Sequence, residues 1–442
     1  MAKKRVEKYE IYNPIYECMD REELRKLQGE RLRQTVELEY NNVPLYRERM
    51  DAKGIKPADI RSVDDLKYRP FTEKTDLRDQ FPYGLLAAPL KEIVRFQGSS
   101  GTTGKPIVAG YTEHDVEVWT EMMARCLVAA GGGREDIVQV AYGYGLFTGG
   151  LGAHQGASRL GATVVPMSSG NTHRQIMMLH EMGSTMLCCT PSYAMYLGEA
   201  VREAGLDPKK DLALKSGCFG AEPWTEGMRQ RLEELLDIDA YNVYGLTEIA
   251  GPGVSYECCA KDGMHVNEDH VIPEIIDPRT GESLPYGTAG ELVFTTISKT
   301  GMPMLRYRTH DVCVLTDAAC ACGRTFVRMG RITGRTDDMI IIRGVNVFPS
   351  QIETVLVGVS GVAPHYMIVV DRVNNTDTME VQVELTEEMF SDTVGHIENL
   401  RYTIRERIKS VVGISVDLKL VAPKSLPRSE GKAKRVVDNR KL

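Results

Sequence analysis

The segment Phe96-Gln97-Gly98-Ser99-Ser100-Gly101-Thr102-Thr103-Gly104-Lys105-Pro106 places three glycines, four hydroxyl side chains and a lysine within positions 98 to 105. That composition aims backbone N–H groups, hydroxyls and one positive charge at a phosphate. It is not the P-loop of nucleoside triphosphatases, which needs a glycine five residues before Gly104 and a hydroxyl after the lysine. Ser99 and Pro106 stand at those two places. Pro106 also biases Lys105 away from helical backbone, so no helix begins there. Ile93, Val94 and Phe96 precede the loop, and Ile107, Val108 and Tyr111 follow it. The spacing predicts strand, phosphate loop, strand. Ser99, Ser100, Gly101, Thr102, Thr103, Gly104 and Lys105 are the candidate phosphate ligands.

Outward from this loop, residues 90–260 alternate short apolar runs with helical stretches. Residues 137–141, 162–166 and 185–189 have the character of strands buried on both faces, so the fold class is α/β. Residues 15–50 read as helical, with Leu24, Leu27, Leu32, Val36 and Tyr40 on an approximate stripe. Residues 290–296 alternate like a strand of a smaller β region. A boundary falls within Gly334-Arg335-Thr336-Asp337-Asp338 and divides the chain into 1–335 and 336–442. Beyond it, Met379, Val381, Val383 and Leu385 alternate with polar residues as a half-exposed strand. Ile397, Leu400, Ile404, Ile408 and Val411 fall at helical spacing, and Val416, Leu418 and Leu420 alternate again. Residues 424–441 form a polar, basic tail, expected to be a mobile extension. The expected architecture is a large N-terminal domain of layered sheets and helices with a β region, followed by a small mobile C-terminal α+β domain.

A chain of 442 residues exceeds one ordinary core. It is 42% hydrophobic and 26% charged, as soluble globular proteins are. A net charge of -7 and a pI near 5.8 give no nucleic-acid footprint. No run approaches the roughly 18 apolar residues of a membrane span. The basic start, Met1-Ala2-Lys3-Lys4-Arg5, has no apolar core behind it, unlike a signal peptide. The expected location is cytoplasmic, where the ten cysteines stay reduced and a cluster of them points to a metal.

Three more segments carry chemistry. Tyr244-Gly245-Leu246-Thr247-Glu248 follows a predicted strand with an aromatic, a hydroxyl and a carboxylate. Glu248 suits Mg²⁺, which takes one or two carboxylates alongside phosphate oxygens. Tyr307-Arg308-Thr309-His310-Asp311 ends on an acid suited to ribose hydroxyls. Pro427-Arg428-Ser429-Glu430-Gly431-Lys432 offers a lysine to a transferring phosphate. With the phosphate loop and the boundary segment, these resemble the adenylate-forming superfamily of acyl-CoA synthetases, adenylation domains and luciferases. The order and spacing match along nearly the whole chain. Residues 141–154, Gly220-Ala221-Glu222-Pro223-Trp224 and residues 341–349 are similar to the phenylacetate-CoA ligases in particular.

That resemblance implies a set of roles. Ser99 to Lys105 hold the β- and γ-phosphates of ATP. Gly220, Ala221, Glu222, Tyr244 and Gly245 line the adenine side, with Tyr244 stacking near the base. Thr247 approaches the α-phosphate and Glu248 binds Mg²⁺. Asp311 and Arg335 hold the ribose. Asp337 is a hinge, and Lys432 reaches the acyl-phosphate region during adenylation. Gly344, Val345 and Asn346 face the site when coenzyme A attacks. One departure stands out: His310 occupies a place that is usually glycine in the superfamily. The implied reaction is ATP-dependent activation of an aryl acid and its transfer to coenzyme A. Carrier-protein or amine acceptors, oxidation of the adenylate, and a non-catalytic nucleotide-binding role are the alternatives. The absence of a fused carrier domain before Leu442 favours a free acceptor.

Tyr142, Tyr144, Phe147 and Gly149 lie in a glycine-rich run whose aromatics can wall a flat apolar acid. Phenylacetate, indoleacetate and hydroxylated phenylacetates all fit this reading. Cys258, His265, Cys320 and Cys322 form a candidate tetrahedral Zn²⁺ set, with Cys259 and Cys313 as substitutes. Four protein ligands make such a site structural. Cys126, Cys188, Cys189 and Cys218 sit in apolar runs, as core cysteines do. A homodimer is a family-level expectation.

Overall fold

The computed structural model describes residues 10–99, 107–336, 340–342, 345–373, 376–391, 394–428 and 435–440. The helical stretch near the start divides into α1 (Pro14–Glu17), α2 (Arg21–Asn42) and α3 (Pro44–Ala52). The divisions have local causes. Asp20 caps α2 by accepting from the Glu22 and Glu23 amides. Val43 is extended ahead of Pro44, which opens α3. After α4 (Lys74–Asp79), strands β1 (Arg95–Gly98) and β2 (Val108–Tyr111) pair antiparallel on either side of the phosphate loop.

α5 (Glu113–Ala129) leads into an alternating series: β3 (Ile137–Val140), α6 (Thr148–Leu160), β4 (Thr163–Pro166), α7 (Thr172–Glu181), β5 (Met186–Cys189), α8 (Pro191–Glu203), α9 (Pro208–Asp211), β6 (Ser216–Gly220), α10 (Glu226–Leu236) and β7 (Asp239–Leu246). Strands β3 to β7 are parallel and run in the order β7-β6-β5-β3-β4. Successive side chains of β5 go to opposite faces. Met186 and Cys188 join a core shared with α5 and α6, while Leu187 and Cys189 join one shared with α7, α8 and α10. Cys126 and Cys218 are buried with the first of these cores.

The sheet continues through β8 (Gly251–Glu257), β9 (Met264–Val266), β10 (Val271–Ile276), β11 (Ala289–Thr296), β12 (Tyr307–Thr316), β13 (Arg328–Met329) and β14 (Gly334–Arg335). The smaller β region is an antiparallel extension of the main sheet, joined where β7 pairs with β8.

The C-terminal unit comprises the hairpin β15 (Ile340–Ile342) and β16 (Val345–Val347), α11 (Pro349–Val357), β17 (Val362–Val373), β18 (Thr376–Leu385), α12 (Glu387–Phe390), α13 (Val394–Val412), β19 (Asp417–Val421) and β20 (Val436–Asp438). Its four-stranded sheet has the order β19-β18-β17-β20 and its own core. Two expectations are corrected here. On α13 the buried stripe ends at Val412, and Val411 is exposed. Four-residue steps from Ile404 and Ile408 reach 412, not 411. Part of the tail is also not a mere extension, because Val436 to Asp438 pair in parallel with β17. Two consecutive valines and an open sheet edge favour a strand there.

Candidate active site

The C-terminal ends of β6 and β7 and the middle of β12 converge on one cleft. Ala221, Glu222, Pro223 and Trp224 form one wall, Tyr244, Gly245 and Leu246 another, and Asp311 and Arg335 a third. An α/β sheet places ligands in the crevice beyond its strand ends. Asp311 is the hub. Its Oδ1 accepts from Arg335 Nη1 at 2.7 Å and its Oδ2 from Tyr244 Oη at 2.6 Å. β14 carries Arg335 directly opposite Asp311 on β12, so strand pairing itself brings the two together. A carboxylate that opens into this cleft suits ribose hydroxyls. Tyr244 packs its ring against Phe294, with centroids 6.2 Å apart.

Glu222 gives part of its carboxylate to the fold, accepting from the Ser192 amide at 2.6 Å. Ala221 has φ +71. Backbone strain of this kind concentrates at ligand clamps. His310 also adopts left-handed backbone, with φ +63. The conformation that glycine would take is thus kept by histidine. Its Nδ1 hydrogen-bonds Thr336 Oγ1 at 2.9 Å, and its carbonyl accepts from the Thr336 amide at 2.7 Å.

Thr247 and Glu248 form a buried turn after β7. Tyr307 Oη donates to Glu248 Oε1 at 3.1 Å. Ser99 closes the base of the phosphate loop, where its Oγ accepts from the Ile107 amide at 3.3 Å. The Gly98 amide donates to the Leu146 carbonyl at 2.7 Å and so ties that loop to the aromatic run. In the run, Tyr142 is buried, while Tyr144 and Phe147 are half-buried. A Cβ on Gly149 would lie 2.7 Å from the Phe147 ring and 3.1 Å from the Tyr142 ring, so the aromatic wall needs glycine there. Tyr144 Oη meets His154 Nδ1 at 3.2 Å. Ser100, Gly101, Thr102, Thr103, Gly104, Lys105, Asp337, Gly344 and Lys432 lie outside the described residues. Val345 and Asn346 are described as backbone of β16.

Cys258, His265, Cys320 and Cys322 bring their ligand atoms within 4.8 Å of one another. Cys258 Sγ lies 3.7 Å from Cys320 Sγ, and Cys322 Sγ lies 3.3 Å from His265 Nε2. Hydrogen bonding with Cys258 holds the Cys322 thiol well below the ordinary thiol range. Cys313 is buried on β12 and Cys259 is half-buried, and neither belongs to this group.

Sequence reasoning missed the support behind the Thr247–Glu248 turn, namely Tyr111, Asp115 and Lys299. Burial lowers the Lys299 pKa to about 8, against the attraction of Asp115 and Glu248. No motif announces a buried lysine. Its only signal is a cation between the two apolar strands β11 and β12.

A profile described as AMP-binding enzyme matches residues 35–301, and one described as AMP-binding enzyme C-terminal domain matches residues 344–440. Fold and cleft thus define an adenylate-forming enzyme. The phenylacetate-coenzyme A ligase of Thermus thermophilus is 50% identical, over 98% of this chain and 100% of its own. That of Escherichia coli is 48% identical, over 95% of this chain and 96% of its own. The chain belongs to the phenylacetate-CoA ligase family. Among solved structures, 2-hydroxyisobutyryl-CoA ligase in the postadenylation state with 2-HIB-AMP superposes with a TM-score of 0.92 at 31% identity, covering 99% of this chain and 94% of that one. The same ligase with 2-HIB-AMP and CoA in the thioesterification state gives 0.72 at 32% identity, covering 97% of this chain and 92% of that one.

Proposed function

We propose that the chain activates phenylacetate, or a closely related aryl acid, as an acyl-adenylate with ATP and passes the acyl group to coenzyme A. The observation that carries this is the near-50% identity to phenylacetate-CoA ligases over almost the whole chain. A carboxylate is a poor acyl donor because oxide would have to leave. Its attack on the α-phosphate of ATP expels pyrophosphate and makes AMP the leaving group. The coenzyme A thiolate then attacks the acyl carbon and AMP departs.

In this reading Gly220, Ala221, Glu222, Tyr244 and Gly245 receive the adenine, Asp311 and Arg335 the ribose, and Thr247 the α-phosphate. Ser99 to Lys105 take the outer phosphates. Tyr142, Tyr144, Phe147 and Gly149 enclose the acid. Lys432 offsets the repulsion between two anions during adenylation. We place the domain division at 335/336. Rotation about Asp337 exchanges Lys432 for the Gly344, Val345 and Asn346 face before thioester formation. The two TM-scores against one ligase in two states support such a rotation.

Glu248, buried beside a tyrosine hydroxyl and next to Thr247, has the hard oxygen donor that Mg²⁺ prefers, and it would hold the ion with phosphate oxygens. Mg²⁺ supplies charge neutralisation on the triphosphate. Cys258, His265, Cys320 and Cys322 would hold Zn²⁺. Their spacing suits a tetrahedral set with metal–sulfur bonds of about 2.3 Å. Such an ion would fix the turn after β8 to the loop after β12. Ten cysteines present as thiols suit a cytoplasmic location. A homodimer is proposed on family likeness alone.

The test separates the steps. Phenylacetate should drive ATP–pyrophosphate exchange without coenzyme A, and AMP and thioester should appear in equal amounts when coenzyme A is added. Exchange without coenzyme A-dependent AMP would move the acceptor elsewhere.

A further inference from the structure

The turn bearing Glu248 is held from behind by groups that the proposed reaction does not use. Lys299 lies between β11 and β12 and is 6% exposed. Its Nζ donates to the Glu248 carbonyl at 2.9 Å and sits 4.5 Å from the centroid of the Tyr111 ring. Tyr111, fully buried on β2, donates its Oη to the Thr247 carbonyl at 2.7 Å. Two successive carbonyls of one turn are therefore gripped by side chains from different parts of the chain.

The grip is itself anchored. Asp115, in the first turn of α5, accepts from the Thr300 amide at 2.6 Å, from Thr300 Oγ1 at 3.0 Å and from the Gly301 amide at 2.8 Å. The residues on either side of the turn thus have fixed partners. Tyr307 holds the Glu248 carboxylate and Lys299 holds its carbonyl.

Packing alone does not account for a lysine here. Among the described residues its Nζ hydrogen-bonds the Glu248 carbonyl, while the Asp115 and Glu248 carboxylates attract it without closing an ion pair. Burying an ammonium without a paired carboxylate costs several kcal/mol, and an apolar side chain would fill the space more cheaply. What the ammonium adds is a charge-assisted hydrogen bond to one chosen carbonyl. That bond fixes the backbone from which Glu248 projects.

We propose that Lys299 is a positioning residue for adenylation, holding the Glu248 carboxylate in place for the metal-bound triphosphate through the Glu248 carbonyl. The inference rests on the reading of Glu248 as a Mg²⁺ ligand. It confines the action of Lys299 to the half-reaction that uses the metal. Outer-shell partners of metal ligands have this kind of effect elsewhere.

The variant Lys299→Met keeps an unbranched chain, one atom shorter, and removes the donor. Two readouts decide. The first is Mn²⁺ binding, by electron paramagnetic resonance, in the presence of an α,β-methylene ATP analogue. The second is the pair of half-reactions: acid-dependent pyrophosphate release, and conversion of supplied phenylacetyl-adenylate to thioester. Lys299→Met should weaken Mn²⁺ binding and slow pyrophosphate release by about 10- to 100-fold each. Thioester formation should stay within about twofold of the unaltered enzyme. Unchanged Mn²⁺ affinity, or equal loss in both half-reactions, would overturn the proposal. If Lys299→Met does not yield folded protein, Lys299→Leu, which also lacks a donor, is judged by the same criteria. Glu248→Gln is measured alongside. Should it leave Mn²⁺ affinity intact, the metal reading of Glu248 fails in its own right, whatever Lys299 does.

Discussion

His310 shows how one residue can break a family pattern without breaking the geometry. Left-handed backbone costs a non-glycine residue about 1–2 kcal/mol. Here the hydrogen bonds to Thr336 offset part of that cost. His310→Gly should therefore keep turnover within about threefold, whereas the β-branched His310→Val should lose about 1–3 kcal/mol of stability and raise the KM for ATP. Thermal melts and ATP titrations check both. Equal behaviour of the two variants would remove backbone conformation as the reason. At this scale much of the site was legible. Asp311 stood out as an acid expected at a strand end, and Arg335 followed from the family resemblance; Asp311 in fact lies mid-strand on β12, where pairing with β14 sets the two opposite one another. Tyr111 and Lys299 were not legible, because each acts through a backbone carbonyl 136 or 51 residues away in sequence. Only the folded chain reveals such partners.

Among the elements, the turn after β8 and the loop after β12 meet at Cys258, His265, Cys320 and Cys322. Neither has a hydrophobic core of its own. Elemental analysis should find about one zinc per chain, lost in Cys322→Ser. That loss should cost about 2–3 kcal/mol and lower the melting temperature by several degrees, with the aryl-acid preference unchanged. Full-strength folding without zinc would assign the cluster to core packing instead. The cluster could be read from the sequence because His265 and the Cys320–Cys322 pair have few other reasons to accompany Cys258. The parallel strands were also readable, since burial on both faces writes an unbroken apolar run. β20 was not, because three residues in a basic tail become a strand only against the open edge of β17. Val411 and Val412 were confused for a related reason. Adjacent valines on a helix lie about 100° apart, and which one is buried depends on the partner surface.

For the whole molecule, the described arrangement brings the C-terminal unit against α8 and α10. A cleft of about 530 Å³ lies between the two domains. His365 Nε2 is 3.8 Å from Glu199 on α8, and Lys424 pairs with Glu203. Packing is tight at Gly227 on α10, where a Cβ would lie 1.9 Å from Val357 Cγ1. Glycine is therefore needed at that contact, and a larger side chain should prise the domains out of this arrangement. Gly227→Val should slow pyrophosphate release by about 10- to 100-fold, as expected for an overpacking cost of about 1–3 kcal/mol. Conversion of supplied acyl-adenylate should change little. Equal losses in the two half-reactions would count against a contact specific to one arrangement. The two-domain plan was legible because hydrophobic periodicity restarts beyond residue 336. The facing surfaces were not, because a glycine on an amphipathic helix carries no mark of what approaches it. The most direct measurement is coupled AMP release with ATP, Mg²⁺ and coenzyme A across a panel of aryl and aliphatic acids. The account predicts that phenylacetate-like acids have the highest kcat/KM, with one thioester formed per AMP. Preference for an aliphatic acid, or AMP release without thioester, would contradict it.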